Sequence, residues 1–170
     1  MISKSLRLLA IDLTGKGFGF VLLDAQLGLL DWGFCCVRSK DDDAFMERVK
    51  DRIDRGQPTV LVFENFAPVK ARRNALKRLG LVMQLVTDHR LGICQVSRKV
   101  VQRVLGLRTK DEIAQALAAR FPELQSRVPP ERERWMQEAD RMHIFDALSF
   151  GLAIMDPILA PVHRHRNFCG

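Results

Sequence analysis

Residues 6–23 have the sequence LRLLAIDLTGKGFGFVLL, and this stretch decides the fold. Its first half is a short, almost wholly apolar run, typical of a strand that is buried on both faces in the middle of a mixed sheet. Three glycines then favour a tight reversal, and residues 18–23 predict a second strand paired with the first. Asp12 lies at the junction. A carboxylate beside such a turn can approach a phosphate or a metal ion, or it can simply hydrogen-bond to the turn backbone.

The composition is typical of a single globular domain with a net positive charge. With 170 residues, of which 47% are hydrophobic, the chain can bury a sizeable core. No apolar run reaches the ~20 residues of a membrane span, and we find no signal peptide, so we expect a cytoplasmic protein. Cys35, Cys36, Cys94 and Cys169 form no CxxC pair, which argues against structural zinc and for reduced thiols. The net charge of +7 favours a polyanionic partner, most often nucleic acid.

The rest of the sequence alternates between strand and helix patterns. A third strand is predicted over residues 28–37, and a helix that starts with the acidic residues 41–43 follows it to about Gly56. The later predicted elements are a buried strand over 59–63, a helix over 69–90, a strand over 92–96, a short helix from Ser97 to Gly106, a helix with a capping box at Thr109 and Glu112, an exposed loop over 122–134 and a last helix over 135–155.

Three acids follow these elements in a pattern that indicates metal chemistry. Asp12 ends the first strand, Glu64 follows the buried strand 59–63, and Asp146 lies on the inward side of the last helix. Carboxylates from separate rigid elements can hold divalent cations, and two ions about 4 Å apart can activate a water and stabilise the leaving oxygen of a phosphodiester. Because clustered carboxylates repel one another, we interpret the cluster itself as an indication of bound metal.

His143 precedes Asp146 by three residues, so both side chains project from one face of the last helix. In acid-rich surroundings an imidazole can bind metal or transfer a proton. Asp140, one turn earlier, is the candidate partner that orients the ring. The alternative is a histidine that only forms a hydrogen bond or lies on the surface.

Basic side chains concentrate in two of the predicted helices. Cations near a helix start oppose the helix dipole, so they are better placed for phosphate contacts than for helix stability, although a merely solvated face is the alternative. The candidate nucleic-acid contacts are Lys70, Arg72, Arg73 and Lys77, with Arg78 beside them, in the helix over 69–90, and Arg98, Lys99 and Arg103 in the helix that follows Ser97.

The succession of Asp12, Glu64 and Asp146 resembles that of the RuvC Holliday junction resolvases, within the RNase H-like nuclease superfamily. The resemblance rests on the motifs IDLTG, VFENF and HIFDAL and extends from residue 6 to about residue 155. It implies an α/β fold in which a five-stranded mixed sheet, ordered 3-2-1-4-5, carries helices on both faces. It also implies a homodimer with Mg²⁺ or Mn²⁺, two ions in each active site, and paired nicks across four-way DNA junctions that leave ligatable 5′-phosphate ends.

The resemblance also implies roles for individual residues. Its catalytic residues and metal ligands would be Asp12, Glu64, His143 and Asp146, with Lys110 near the scissile phosphate. Phe66 lies close to the place of an aromatic residue that the family inserts at the junction centre, but it is nearer to the glutamate than that pattern predicts. The first turn has Leu13-Thr14 where many members have Pro-Gly, which is typical of a divergent relative and leaves a different substrate as an alternative.

We expect residues 1–156 to form the nuclease domain and residues 157–170 a basic tail. The predicted activity is a metal-dependent endonuclease that acts on four-way junctions in DNA recombination or repair. The alternatives are a related nuclease acting on RNA or on flapped or otherwise branched DNA, and a junction-binding protein that does not cleave. The sugar kinase fold begins similarly but needs two domains, for which the chain is too short. For the homodimer, the expected apolar seam is Leu79, Leu81, Val82 and Leu85.

Overall fold

The computed structural model describes residues 6–38, 40–65, 73–131 and 137–155, and of Arg73 only the backbone. Its elements in chain order are β1 (Arg7–Thr14), β2 (Gly17–Asp24), β3 (Leu29–Cys36), α1 (Asp42–Gly56), β4 (Val60–Glu64), α2 (Arg73–His89), β5 (Gly92–Val96), α3 (Arg98–Leu105), α4 (Lys110–Arg120), a 3-10 helix (Pro122–Arg127) and α5 (Met142–Met155). Within these described ranges, no helix is both long and apolar enough to cross a membrane.

The five strands form one mixed sheet in the order β3-β2-β1-β4-β5, as predicted. β1 to β3 are antiparallel, while β4 and β5 run parallel to β1, since helices connect them. The hairpin turn is tighter than the sequence indicates, because β1 continues to Thr14 and pairs Asp12 with Gly19. Asp12 therefore lies inside β1, two residues before its end, and not at the junction.

Side chains of β1 alternate between two hydrophobic cores on opposite faces of the sheet. Leu8 and Ala10 belong to the core under α3, α4 and α5, whereas Leu9 and Ile11 belong to the core under α1 and α2. This period of two follows from the pleat of a strand that is buried on both faces. The central strand thus holds the helical layers together and fixes the face on which each of its residues lies.

Side chains cap several helices as the sequence predicts. Asp41 accepts a hydrogen bond from the Ala44 N–H at 3.0 Å, so the acidic residues 41–43 act at the start of α1. Thr109 and Glu112 form the predicted capping box at the start of α4. These caps fix where α1 and α4 begin.

Two predicted segments are wrong in their boundaries. The last helix begins at Met142, and the chain enters α5 through turns such as the one closed by the hydrogen bond from the Met142 N–H to the Ala139 carbonyl. The expected loop over 122–134 contains the 3-10 helix, which Leu124 anchors in the core at 0% exposure. The predicted tail, residues 157–170, lies outside the described residues.

Helix α2 differs from its predicted role at three positions. Val82 and Leu85 are 1% and 5% exposed within the core of this same chain, so they are not available for the expected dimer seam. Arg78, which the sequence groups with phosphate-binding cations, is 1% exposed and donates to backbone carbonyls of residues 14, 37 and 38. It is a structural residue, because Nη1 and Nη2 of its buried guanidinium hydrogen-bond to these carbonyls, although Nε has no hydrogen-bond partner among the described residues.

Gly19 allows α5 to approach β2 more closely than a side chain would permit. A Cβ atom at position 19 would lie 2.2 Å from the backbone oxygen of His143. We therefore expect Gly19→Ala to lower the free energy of unfolding by about 2–3 kcal/mol, because the helix backbone must shift. Urea denaturation measures this loss.

Gly80 provides the matched control for that substitution. It lies in the middle of α2, where a Cβ would meet nothing within 4 Å. Gly80→Ala should raise stability by about 0.5–1 kcal/mol, since alanine is the better helix former. Equal effects of the two substitutions would contradict the close approach of α5 at Gly19.

Candidate active site

The register of β1 and β4 places two acids on one face of the sheet. Ala10 pairs with Val62 in the parallel ladder, and both belong to the core under α5. Two residues further along each strand, Asp12 and Glu64 therefore point to that same face. The residues Asp12 and Glu64 are 4% and 7% exposed, and they lie at the edge where the carboxyl ends of the parallel strands meet.

Helix α5 brings the third acid to this edge. α5 is buried along most of its length, and Asp146 is 2% exposed among apolar neighbours. His143, one turn earlier, lies on the same side of α5 and stacks on the Phe34 ring at a centroid distance of 5.6 Å. An ionised carboxylate so deeply buried requires charged or hydrogen-bonding partners.

Asp12, His143 and Asp146 form a compact group of possible metal ligands. Each offers one ligand atom, and these atoms all lie within 4.8 Å of one another. His143 Nδ1 lies 2.7 Å from Asp12 Oδ2, in hydrogen-bonding contact. Glu64, the fourth predicted ligand, stands outside this group of three, and its carboxylate lies 3.6 Å from Arg98 Nε.

Two cationic side chains hold the carboxylate of Asp146. Arg98 Nη1 donates to Oδ1 at 2.9 Å, and Lys110 Nζ donates to Oδ2 at 2.7 Å. Lys110 also contacts Glu138, in the segment before α5. Positive charges of the protein therefore already compensate the acids, so the clustering of carboxylates does not by itself require bound metal, contrary to our interpretation of the sequence.

Burial and charge move the two aspartates in opposite directions. Burial raises the pKa of Asp12 to about 6, although the hydrogen bond with His143 opposes this shift. Burial also disfavours the charge on Asp146, but the charges of Lys110 and Arg98 outweigh it and lower the pKa of Asp146. The pKa of His143 is raised, because the contact with Asp12 outweighs the effect of burial. These shifts thus favour the ionised form of Asp146, the neutral form of Asp12 and the protonated form of His143.

These shifts predict a pH dependence of stability in the metal-free protein. The folded-state pKa values of Asp12 and His143 both exceed those of the unfolded chain, so stability is greatest below them and falls as pH rises through them. The lowered pKa of Asp146 has the opposite effect on stability, which is lost as pH falls. This loss occurs below the ordinary pKa of 3.8 and therefore outside this pH range. We expect the free energy of unfolding in EDTA to be on the order of 1 kcal/mol lower at about pH 8 than at about pH 6.

Urea denaturation at the two pH values tests this expectation. Asp12→Asn should flatten the difference, because the substitution removes both the raised carboxyl pKa and the partner of His143. Asp88→Asn, at an exposed position in α2, should leave it unchanged. A wild-type protein that is more stable at the higher pH would show that the sign is wrong.

The structure also brings to the site residues that the sequence assigned elsewhere or missed. Arg98, which the sequence predicts as a nucleic-acid contact but not as part of the acidic site, lies between Glu64 and Asp146. It directly follows β5, the parallel neighbour of β4, so its proximity to Glu64 could have been inferred from the strand order. No sequence signal predicts Glu138 or the stacking of Phe34, because both depend on how distant segments pack.

The remaining predicted contacts are dispersed. Lys77 pairs with Asp42 at the start of α1, while Lys99 and Arg103 are exposed on α3. Asp140 receives a hydrogen bond from the His143 N–H at 3.2 Å through its backbone oxygen, whereas the ring itself contacts Asp12. The other predicted nucleic-acid contacts, Phe66, Lys70, Arg72 and the Arg73 side chain, lie outside the described residues.

No protein-family model matches this chain. No curated protein sequence matches it closely enough to show a relationship.

Solved structures show a clear likeness of fold. T. thermophilus RuvC in complex with a Holliday junction substrate has a TM-score of 0.63 at 14% identity, over 87% of this chain and 91% of that one. Another Thermus thermophilus RuvC structure has a TM-score of 0.61 at 16% identity, over 87% and 92%. The yeast mitochondrial Holliday junction resolvase Ydc2 has a TM-score of 0.61 at 12% identity, over 91% and 80%. Together with the strand order, these likenesses show that the chain has the RNase H-like fold of the RuvC-type Holliday junction resolvases.

Proposed function

We propose that this protein is a divalent-metal-dependent endonuclease that cuts four-way DNA junctions by paired, symmetric nicks and leaves 5′-phosphate ends. The observation that carries the proposal is the convergence of Asp12, His143 and Asp146 within 4.8 Å at the carboxyl edge of the sheet. This convergence occurs on the fold of proteins described as Holliday junction resolvases. The net charge of +7 suits a polyanionic substrate.

The donor set fits a divalent ion. Asp12 and Asp146 supply carboxylate oxygens, which suit Mg²⁺ and Mn²⁺, and His143 supplies an imidazole nitrogen, which suits the softer Mn²⁺ better than Mg²⁺. Glu64, on the neighbouring strand, is the candidate for a second ion site. Bound ions would activate the attacking water and stabilise the leaving oxygen of the phosphodiester.

The protein's own cations have a separate task in this scheme. Arg98 and Lys110 are 24% and 31% exposed, so each reaches from a buried carboxylate to the mouth of the site. A phosphate at the mouth would lie within reach of both side chains and would compete with Asp146 for them. Arg98 and Lys110 are therefore the residues that we expect to hold the scissile phosphate.

The surface beside the site provides further basic residues. Lys99 and Arg103 are four residues apart on α3, which directly follows the strand beside Glu64, and both are exposed. Such contacts with the phosphate backbone fix the position of the duplex arms, while the angle between the arms selects the junction. We propose α3 as the arm-binding helix next to the site.

Paired nicks require two sites, so we propose a homodimer. The apolar face that α2 leaves partly uncovered contains Leu76, which is 36% exposed, and the half-buried Leu79 and Met83. Their spacing puts them on one side of the helix, which would face the second copy of the chain. Light scattering should give twice 19.4 kDa, whereas a single 19.4 kDa species that still makes paired nicks would exclude the dimer.

A panel of matched substrates tests the function. Purified protein with Mg²⁺ should cut a four-way junction, and should cut flapped DNA, linear duplex and an RNA–DNA hybrid of the same sequence far more slowly. EDTA should stop the reaction. Faster cleavage of the hybrid or the flap would redirect the proposal to another nuclease activity, and junction binding without cleavage would indicate an architectural protein.

A further inference from the structure

Lys110 lies between two carboxylates that differ in their exposure to solvent. Its ammonium group donates to Asp146, whose side chain is 3% exposed, and it also contacts Glu138, whose side chain is 28% exposed. Lys110 is the first residue of α4, and Glu138 lies in the segment that leads into α5. The lysine therefore bridges a deep ligand of the site and a shallow carboxylate at its rim.

The deep partner is shared with another cation. Arg98 binds Oδ1 of Asp146 while Lys110 binds Oδ2, so both oxygens are engaged by protein cations. A metal ion held by Asp146 would repel the Lys110 ammonium and weaken its contact with that oxygen. Glu138 would then remain as the partner of Lys110 on the solvent side.

We infer that Glu138 is a positioning residue that holds the Lys110 ammonium at the mouth of the site, where Lys110 contacts the scissile phosphate. The inference rests on the proposed function. A salt bridge between side chains that are 28% and 31% exposed contributes little to stability, because solvent screens the attraction. We therefore assign the contact a role in catalysis: it fixes the position of the Lys110 ammonium. A positive charge that is already in place stabilises the transition state without reorganisation.

Single-turnover cleavage of a four-way junction tests this role. Glu138→Gln should lower the rate constant about tenfold at saturating protein, with junction affinity and stability nearly unchanged. Glu138→Asp should recover part of the rate, since it keeps the charge on a shorter side chain. Glu131→Gln is the matched control, because Glu131 is exposed and lines the same 250 Å³ cavity as Glu138 and Lys110, and it should cleave like the wild type.

A double-mutant cycle separates positioning from a general effect of charge. In a Lys110→Met background, Glu138→Gln should cause no further loss, because the residue through which it acts is absent. A Glu138→Gln enzyme as fast as the wild type, or an equal loss in both backgrounds, would overturn the inference.

Amine labelling gives a readout that does not depend on cleavage. Mass spectrometry after treatment with an amine-reactive reagent should show Lys110 modified several-fold faster in Glu138→Gln than in the wild type or Glu131→Gln. If labelling changes in this way but the wild type cleaves no substrate, the contact between Glu138 and Lys110 is supported but the proposed function is refuted. The proposed contact of Lys110 with the scissile phosphate is then refuted as well. If the wild type cleaves but neither rate nor labelling responds to Glu138→Gln, the inference alone fails.

Discussion

Asp12→Asn and Asp146→Asn should each abolish cleavage of a four-way junction, by about a thousandfold or more, while junction binding is retained. Both substitutions remove a charged oxygen ligand from the group that also contains His143. Losing the charge stabilisation supplied by a bound ion raises the barrier by several kcal/mol, and each ~1.4 kcal/mol is a factor of ten in rate. Cleavage under single-turnover conditions and binding in EDTA measure the two effects separately.

The two variants should differ in stability, which distinguishes the roles of the two acids. Asp12 has a raised pKa, so neutral Asn resembles the form that the fold prefers, and stability near pH 7 should be unchanged or higher. Asp146 is ionised and bound by two cations, so Asn should cost about 1–3 kcal/mol, a loss moderated by the partial exposure of Arg98 and Lys110. Asp88→Asn, an exposed acid in α2, is the control for both. Full cleavage by either active-site variant would contradict the assignment.

Arg78→Met should destabilise the protein by about 2–4 kcal/mol without any direct effect on catalysis. The Arg78 guanidinium donates to the backbone oxygens of Thr14 at 2.9 Å and Arg38 at 3.0 Å, and lies over the Phe45 ring. It thereby joins α2 to the end of β1 and to the chain that follows β3. Methionine fills much of the volume but leaves the carbonyls of residues 14, 37 and 38 without this donor.

Lys77→Met is the matched control for this substitution. Lys77 is the preceding residue on the same helix, but its side chain is 65% exposed and pairs with Asp42 at the surface. The loss of an exposed pair should change stability by less than about 1 kcal/mol. Urea denaturation measures the free energy of unfolding of both variants. Similar losses would show that the hydrogen bonds of Arg78 do not stabilise the fold more than an exposed ion pair does.

The sequence predicts the individual strands and the acids because both follow from strong local patterns, whereas the strand order was implied only by the resemblance to the RuvC resolvases. The continuous apolar runs before Asp12 and Glu64 are typical of central strands, and strands that run in parallel bring their carboxyl ends to one edge. The helical spacing of His143 and Asp146 then places both on one side of α5. These positions needed no knowledge of distant contacts.

The errors arise where tertiary packing decides the outcome. Periodicity shows that Val82 and Leu85 are apolar and on one face, but not whether that face meets this chain or a partner. In the sequence, Arg78 cannot be distinguished from a surface cation. Only the folded structure brings the carbonyls of Thr14 and Val37 to its guanidinium. Arg98 and Lys110 neutralise Asp146 across 48 and 36 residues of sequence, so the charge balance of the site could not be derived from the acids alone.

Paired cleavage of a junction within one binding event tests the central claim most directly. A supercoiled plasmid that extrudes a cruciform presents one four-way junction, and two coordinated nicks across it convert the circle to a linear molecule. We expect the protein with Mg²⁺ to yield linear DNA with no accumulation of nicked circles, with ends that a ligase seals because they carry 5′-phosphates. Asp12→Asn should leave the plasmid supercoiled. Nicked circles as the only product, or cleavage of a plasmid without the cruciform at the same rate, would contradict the assignment of this chain as a junction-resolving nuclease.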